Sequence, residues 1–211
     1  MKSRKEITAI IKGIKRQLGK TRPVVLFRGP FQTLIATVLS ARTKDTTTYP
    51  AAKRLFAKFP NPKKLVKAKV KQIEQLIFPV GFYRTKARRI KQISKILIGK
   101  FNFKVPRTIY ELTSLPGVGR KTANIVLAFS FKIPAIAVDV HVNRISNRIG
   151  LVKTKKPEQT ENELEKILRK DEWLEINELM VKFGQRVCRP VGPKCENCRI
   201  SKYCNYFREN N

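Results

Sequence analysis

The sequence predicts an all-α protein built from short helices. Three observations carry that expectation. Apolar residues recur at helical spacing in stripe after stripe, strict alternation over a strand's length is nearly absent, and prolines and glycines fall between the stripes. Only Ala135 to Val140 reads ambiguously.

Ile7, Ile10, Ile11, Ile14 and Leu18 follow the i, i+3, i+4, i+7 rule with lysine and arginine between them, so the chain opens on an amphipathic helix. Gly19 and Pro23 are expected to close it. The segment Phe31 to Ala41 is apolar nearly all round, as a buried helix is. Further helical stripes lie at Leu55-Phe56-Phe59, Leu65-Val66, Ile73-Leu76-Ile77 and Ile90-Ile93-Ile96-Leu97. Pro60, Pro62, Pro79, Gly81, Gly99 and Pro106 read as breakers between them. After Thr160 the pattern resumes with Leu164-Ile167-Leu168 and then Leu174 to Phe183. No internal repeat or low-complexity tract interrupts this series.

The 211 residues suffice for one large or two small domains, with a core that needs no disulfides. Hydrophobic residues at 42% and charged residues at 29% exclude a disordered chain. Lys and Arg number 46 against 15 for Asp and Glu, a net charge of +31. Such an excess repels itself unless a polyanion is near, and nucleic acid is the expected partner, with plain compositional bias and an anionic membrane surface as the alternatives. The most apolar window, Asn124 to Val142, is broken by Lys132, Pro134 and Asp139, so no membrane span is expected. The basic start, Met1 to Glu6, leads into no apolar signal region, and an intracellular, reducing setting is expected.

The chemistry concentrates in three places. The first is Leu115-Pro116-Gly117-Val118-Gly119-Arg120-Lys121-Thr122-Ala123-Asn124. Two glycines one residue apart permit a tight turn with exposed amides, and the following helix offers its positive end, a combination that binds phosphate. The same letters also serve as an ordinary interhelical loop. Lys121 falls in the first turn of that helix beside Arg120, where dipole, neighbour and an expected partial burial all favour the neutral, nucleophilic amine. A solvated phosphate-contacting lysine is the alternative.

The second place is Asp139, set in the apolar run Ile136-Ala137-Val138. A carboxylate there needs a partner or a use. It reads as the N-cap of a helix starting at Val140, as a chemical group, or as both. His141, the only histidine, is a structural or phosphate-contacting group. The third is the set Cys188, Cys195, Cys198 and Cys204, in C-x6-C-x2-C-x5-C spacing. Four cysteines in a reducing compartment argue for metal rather than disulfides. With only one C-x2-C knuckle the choice lies between zinc and a [4Fe–4S] cluster, and the close wrap favours the cluster.

Hairpin, aspartate and cysteines occur in an order that resembles the helix-hairpin-helix DNA glycosylases, in particular their endonuclease III-like branch, from about Phe31 to Tyr203. The resemblance implies a six-helix barrel domain at residues 23–133 carrying the hairpin. The N-terminal helix (1–22) and C-terminal helices (134–211) would form a second domain with the [4Fe–4S] cluster loop, the active site lying in a cleft between the two. It implies that the amides of Gly117, Val118, Gly119 and Arg120 hold the damaged strand, with His141 as a secondary DNA contact. Lys121 would be the nucleophile of a bifunctional glycosylase/lyase, forming a Schiff base, and Asp139 its essential carboxylate. The four cysteines would hold the cluster, which shapes a basic loop of Arg186, Arg189, Lys194, Arg199 and Lys202.

Two further stretches match the family less specifically. Leu39 to Asp45 corresponds to the segment that fills the gap left by a flipped nucleotide, through Arg42, and Gly81 to Ala87 to the intercalating wedge, through Phe82. Both depart from the glutamine and leucine usual there. Read without the family, Phe82 is a core aromatic and Arg84 to Lys91 a solvated face. The implied function is base excision repair: removal of oxidised pyrimidines from duplex DNA and cleavage of the abasic strand by β-elimination. The expected protein is a cytoplasmic, nucleoid-associated monomer. The alternatives are a mismatch-specific adenine or thymine glycosylase, against which Lys121 speaks, and a non-catalytic structure-reading DNA-binding protein.

Overall fold

The computed structural model describes residues 2–19, 27 and 29–210. It contains helices and connections, with no strand among the described residues. Two compact units arise, one from Met1–Val24 with Pro134–Asn211 and the other from Val25–Ile133. The expected helix stop at Pro23 and the expected boundary between residues 22 and 23 lie outside the described residues.

Helix α1 (Arg4–Leu18) starts at Ser3, whose hydroxyl accepts from the Glu6 amide while Glu6 accepts from the Ser3 amide at 2.7 Å. This reciprocal cap satisfies two amides that a helix start leaves without partners. Ile7, Ile10, Ile11, Ile14 and Leu18 are all buried, as the stripe requires.

The Val25–Ile133 unit is a helical assembly around α2 (Gly29–Ser40). Its other helices are α3 (Asp45–Lys58), α4 (Pro62–Lys67), α5 (Val70–Ile77), α6 (Tyr83–Phe101), α7 (Ile109–Thr113) and α8 (Arg120–Phe131). Helix α2 packs on α3, α6 and α8, and Leu34, Ile35 and Leu39 have no solvent exposure. Each such side chain contributes roughly 1.5–3 kcal/mol by leaving water.

Two expected breakers act otherwise. Pro62 opens α4 as its first residue behind the Asn61 cap, a position where its missing N–H costs nothing. Gly99 lies inside α6, which runs on to Phe101 and ends at Asn102 in the left-handed conformation. Helix α7 has no long apolar stripe. It is set by a Thr108 cap that accepts from the Glu111 amide at 3.2 Å and donates to the Glu111 carboxylate at 2.7 Å.

The remaining helices are α9 (Val140–Ile149), α10 (Pro157–Ile167), α11 (Lys170–Arg186) and α12 (Asn205–Asn210), with a 3₁₀ turn at Ser201–Tyr203. Ala135 to Val138 is a buried, irregular segment; its alternation ends where α9 begins. Helix α11 packs on α1 and α9. Arg4 ties α1 to this group, donating to the Ile167 carbonyl at 2.9 Å and to both carboxylate oxygens of Glu172 at 2.8 Å. Glu172 is buried and also accepts from the Arg169 amide, so its carboxylate accepts three hydrogen bonds.

Candidate nucleic-acid interface and cysteine loop

The hairpin joins α7 to α8. Val118 donates its amide to the Leu115 carbonyl at 3.1 Å, which folds the turn, and Gly117 has φ 79, a left-handed conformation that favours glycine. A Cβ there would lie 2.8 Å from Arg89 Cδ. Gly119 caps α8 without a side chain, so no capping oxygen competes for the first-turn amides, which stand at the positive end of the helix. The Val118 side chain is buried and anchors the turn. Arg120 and Lys121 are exposed in the first turn of α8. The partial burial expected of Lys121 is therefore corrected: the residue is exposed at the helix start.

Arg42 and Phe82, far apart in sequence, meet in the same unit. The guanidinium carbon stands 5.9 Å from the Phe82 ring centre. Phe82 is 64% exposed, which overturns the reading of it as a core aromatic, and Arg42 is exposed as well. Both adopt positive φ, 53° and 57°, which non-glycine residues take only under local constraint. The constraint includes a residue that sequence reasoning missed, Lys86. It is 4% exposed and donates from Nζ to the Leu39 carbonyl at 2.7 Å, the Ala41 carbonyl at 2.5 Å and Thr43 Oγ1 at 3.1 Å. Burial, with the charge of Arg89 adding to it, pushes this amine down to about 8. One more lysine in a basic helix carries no sequence signal of burial.

In the other unit, Asp139 is the N-cap of α9. Its Oδ1 accepts from the amides of His141 and Val142, both at 2.9 Å. Two residues on, Arg144 Nη2 stands 3.1 Å from His141 Nδ1 and donates to the Cys188 carbonyl at 3.0 Å. A guanidinium only donates, so Nδ1 is the acceptor and the imidazole carries its proton on Nε2. Gly184 of α11 comes close here; a Cβ on it would lie 2.5 Å from His141 Nδ1. One turn later Arg148 donates to the Arg189 carbonyl at 2.7 Å and the Pro190 carbonyl at 2.9 Å, and its guanidinium covers the Tyr206 ring at 4.5 Å. The Cys204 thiol donates to the Arg148 carbonyl at 3.4 Å. The arginines of α9 thus arrange the cysteine loop through distant backbone carbonyls, which no residue pattern announces.

Cys188, Cys195, Cys198 and Cys204 line one cavity walled by Ile149, Phe183, Val187 and Ile200. Burial pushes the Cys198 thiol up to about 11 and raises Cys195 and Cys204 as well, with neighbouring cysteines adding to it. Four thiolates gathered in such a place require a cationic centre to stabilise them. The donor chemistry therefore fits a thiolate-bound metal group. As placed, no three His, Cys, Asp or Glu side chains among the described residues surround a single metal ion. Arg186, Arg189, Lys194, Arg199 and Lys202 are all exposed around this loop.

Comparison with known proteins follows the same lines. Residues 35–170 match the sequence pattern of the HhH-GPD superfamily of base excision DNA repair proteins. The chain is 52% identical over 179 residues to endonuclease III of Thermotoga maritima, spanning 85% of this chain and 84% of that one. It is 43% identical over 189 residues to the chloroplastic endonuclease III homolog 2 of Arabidopsis thaliana, of whose length it spans 49%. Among solved structures, a trapped covalent intermediate of endonuclease III with DNA superposes with a TM-score of 0.91 at 37% identity, covering 99% of both chains.

Proposed function

The chain belongs to the HhH-GPD superfamily of base excision DNA repair proteins, and on that premise we propose that this DNA glycosylase and abasic-site lyase removes oxidised pyrimidines from duplex DNA with Lys121 as nucleophile. The observation that carries the reading is the start of α8. A glycine-capped helix presents its amides to a phosphate while exposed Lys121 stands in the same turn.

In the proposed reaction Lys121 Nζ attacks C1′ of the extruded nucleotide. The glycosidic bond breaks, and the base leaves with the bonding electrons and takes up a proton. The sugar ring opens as the C1′–O4′ bond breaks and O4′ takes up a proton, leaving C1′ and the nitrogen as an iminium; a proton then departs from C2′, and the 3′ phosphate is expelled by β-elimination. Hydrolysis of the iminium returns the amine. Asp139 stabilises the positive charge that grows on the sugar. The two amide bonds to its Oδ1 keep that carboxylate oriented. His141 and the amides of Gly117, Val118, Gly119 and Arg120 bind the DNA backbone, and Arg42 and Phe82 occupy the space the flipped nucleotide leaves.

Cys188, Cys195, Cys198 and Cys204 would hold a [4Fe–4S] cluster. Bound there it supplies no bond-breaking chemistry and fixes the loop that presents Arg186, Arg189, Lys194, Arg199 and Lys202 to phosphates. The proposed organisation is an N-terminal helix at 1–22, a barrel at 23–133 and the cluster-bearing helices at 134–211.

Borohydride reduction during turnover on an abasic duplex tests the assignment. It should leave a stable protein–DNA adduct, and Lys121→Gln should abolish that adduct. An unaltered protein that binds the duplex but gives no adduct would make this a DNA-binding module without chemistry.

A further inference from the structure

Lys86 is a buried cation whose three acceptors are all uncharged. Such a group is costly to desolvate, and in this place its ammonium hydrogen bonds tie α6 to the one segment Leu39–Thr43. Its ammonium gathers the Leu39 and Ala41 carbonyls at the C-terminal end of α2, where helix carbonyls lack internal partners, and so fixes the chain on the N-terminal side of Arg42. Thr43 Oγ1 accepts from Lys86 Nζ and also from the Gly81 amide at 3.1 Å, which fixes the chain before Phe82. The Lys86 backbone amide then donates to the Phe82 carbonyl at 3.0 Å. One residue thereby brackets both residues of left-handed backbone, whose side chains meet with the Arg42 guanidinium carbon 5.9 Å from the Phe82 ring centre.

We propose that Lys86 is a positioning residue that holds Arg42 and Phe82 in their strained backbone conformations, ready to enter the duplex as a nucleotide leaves it. The inference rests on the reading of Arg42 and Phe82 as the inserting pair. Lys86 itself is buried, and its amine is engaged by acceptors of this chain, so the role proposed for it is exerted through Arg42 and Phe82. Preorganisation of this kind acts on rate, because an inserting group misplaced by an ångström costs up to about a hundredfold.

The test is a cycle of single-turnover excision rates on a duplex with one oxidised pyrimidine. Four proteins are compared: the unaltered chain, Lys86→Met, the pair Arg42→Ala with Phe82→Ala, and all three together. Lys86→Met alone should slow excision about ten- to hundredfold. Added to the pair of alanines it should change the rate by less than about threefold, since nothing remains to be positioned. Multiplying factors would overturn the proposal, because a general structural lesion acts in either background. A pair of alanines with undiminished excision would remove the inserting role and the proposal with it, while borohydride trapping through Lys121 reports separately on the enzymatic reading. If Lys86→Met does not fold, Thr43→Val decides. It removes the shared acceptor and leaves the amine, and it should slow excision only when Arg42 and Phe82 are present.

Discussion

Within the Val25–Ile133 unit Leu34, Ile35, Leu55, Ile73, Ile90 and Ile93 have lost all exposure, whereas among residues 188–204 only Ile200 is buried. The cysteine loop keeps its shape by other means. Arg144 and Arg148 reach from α9 to the carbonyls of Cys188, Arg189 and Pro190, and Arg189 closes on the Gly192 carbonyl at 2.8 Å. The barrel unit carries its order in its own apolar surface. The loop borrows its order from cations of α9 outside it and, on the proposed reading, from the cluster its thiols would hold. Two lesions separate these cases. Ile93→Ala should cost about 2–5 kcal/mol in denaturant unfolding and leave bound iron per chain unchanged. Cys198→Ser should lose the iron and open the loop to protease between Val187 and Cys204 while the helical circular dichroism persists. Equal global loss from both would make the loop part of one cooperative core.

A smaller effect sharpens the same contrast at the place where α9, α11 and the loop meet. The Cβ of Gly184→Ala would stand 2.5 Å from His141 Nδ1 and 3.0 Å from Arg144 Nη2. Alanine gains up to about 1 kcal/mol of helix propensity there, and overpacking against a ring costs about 1–3 kcal/mol. The net expectation is a modest fall in stability with a disproportionate loss of bound iron, because Arg144 must give up either the ring or the Cys188 carbonyl. Metal content and melting temperature of the variant check it. A more stable protein with full iron would mean that the helices part easily at this contact.

What could be read from the sequence follows the same division. The stripes of α1, α2, α5 and α6 announced themselves because an apolar side chain either leaves water or does not, and periodicity records that choice. Asp139 as a helix cap was legible because the bonds are local, between neighbours two and three residues apart. Pro62 and Gly99 misled because a breaker's effect depends on its place in a turn, which composition does not encode. Helix α7 escaped notice, its five residues resting on a cap rather than a stripe. Lys86, Arg144 and Arg148 looked like any of the 46 basic residues. Most of their acceptors are backbone carbonyls, some more than forty positions away, and a carbonyl has no letter in a sequence.

Lys86 complicates the contrast, since it brings the loop's device, a cation gathering distant carbonyls, into the unit that otherwise relies on apolar burial. The two kinds of cation respond differently to pH. Burial, with Arg89 adding to it, pushes the Lys86 amine down to about 8, against an ordinary value of 10.5 that the unfolded chain retains. Between those values the folded protein has released a proton that the unfolded chain still binds, so stability contributed at this site rises with pH, by at most about 1.4 kcal/mol per unit. Below about pH 8 both states are protonated and the slope vanishes. The stability of the unaltered protein relative to Lys86→Met should therefore grow between pH 8 and pH 10, measured by denaturant unfolding. The same comparison with Arg144→Met should stay flat, because a guanidinium remains charged throughout. Should the Lys86 advantage shrink instead, the bonds to Leu39, Ala41 and Thr43 hold the ammonium more strongly than burial opposes it, and the barrel unit's cation behaves like those of the loop.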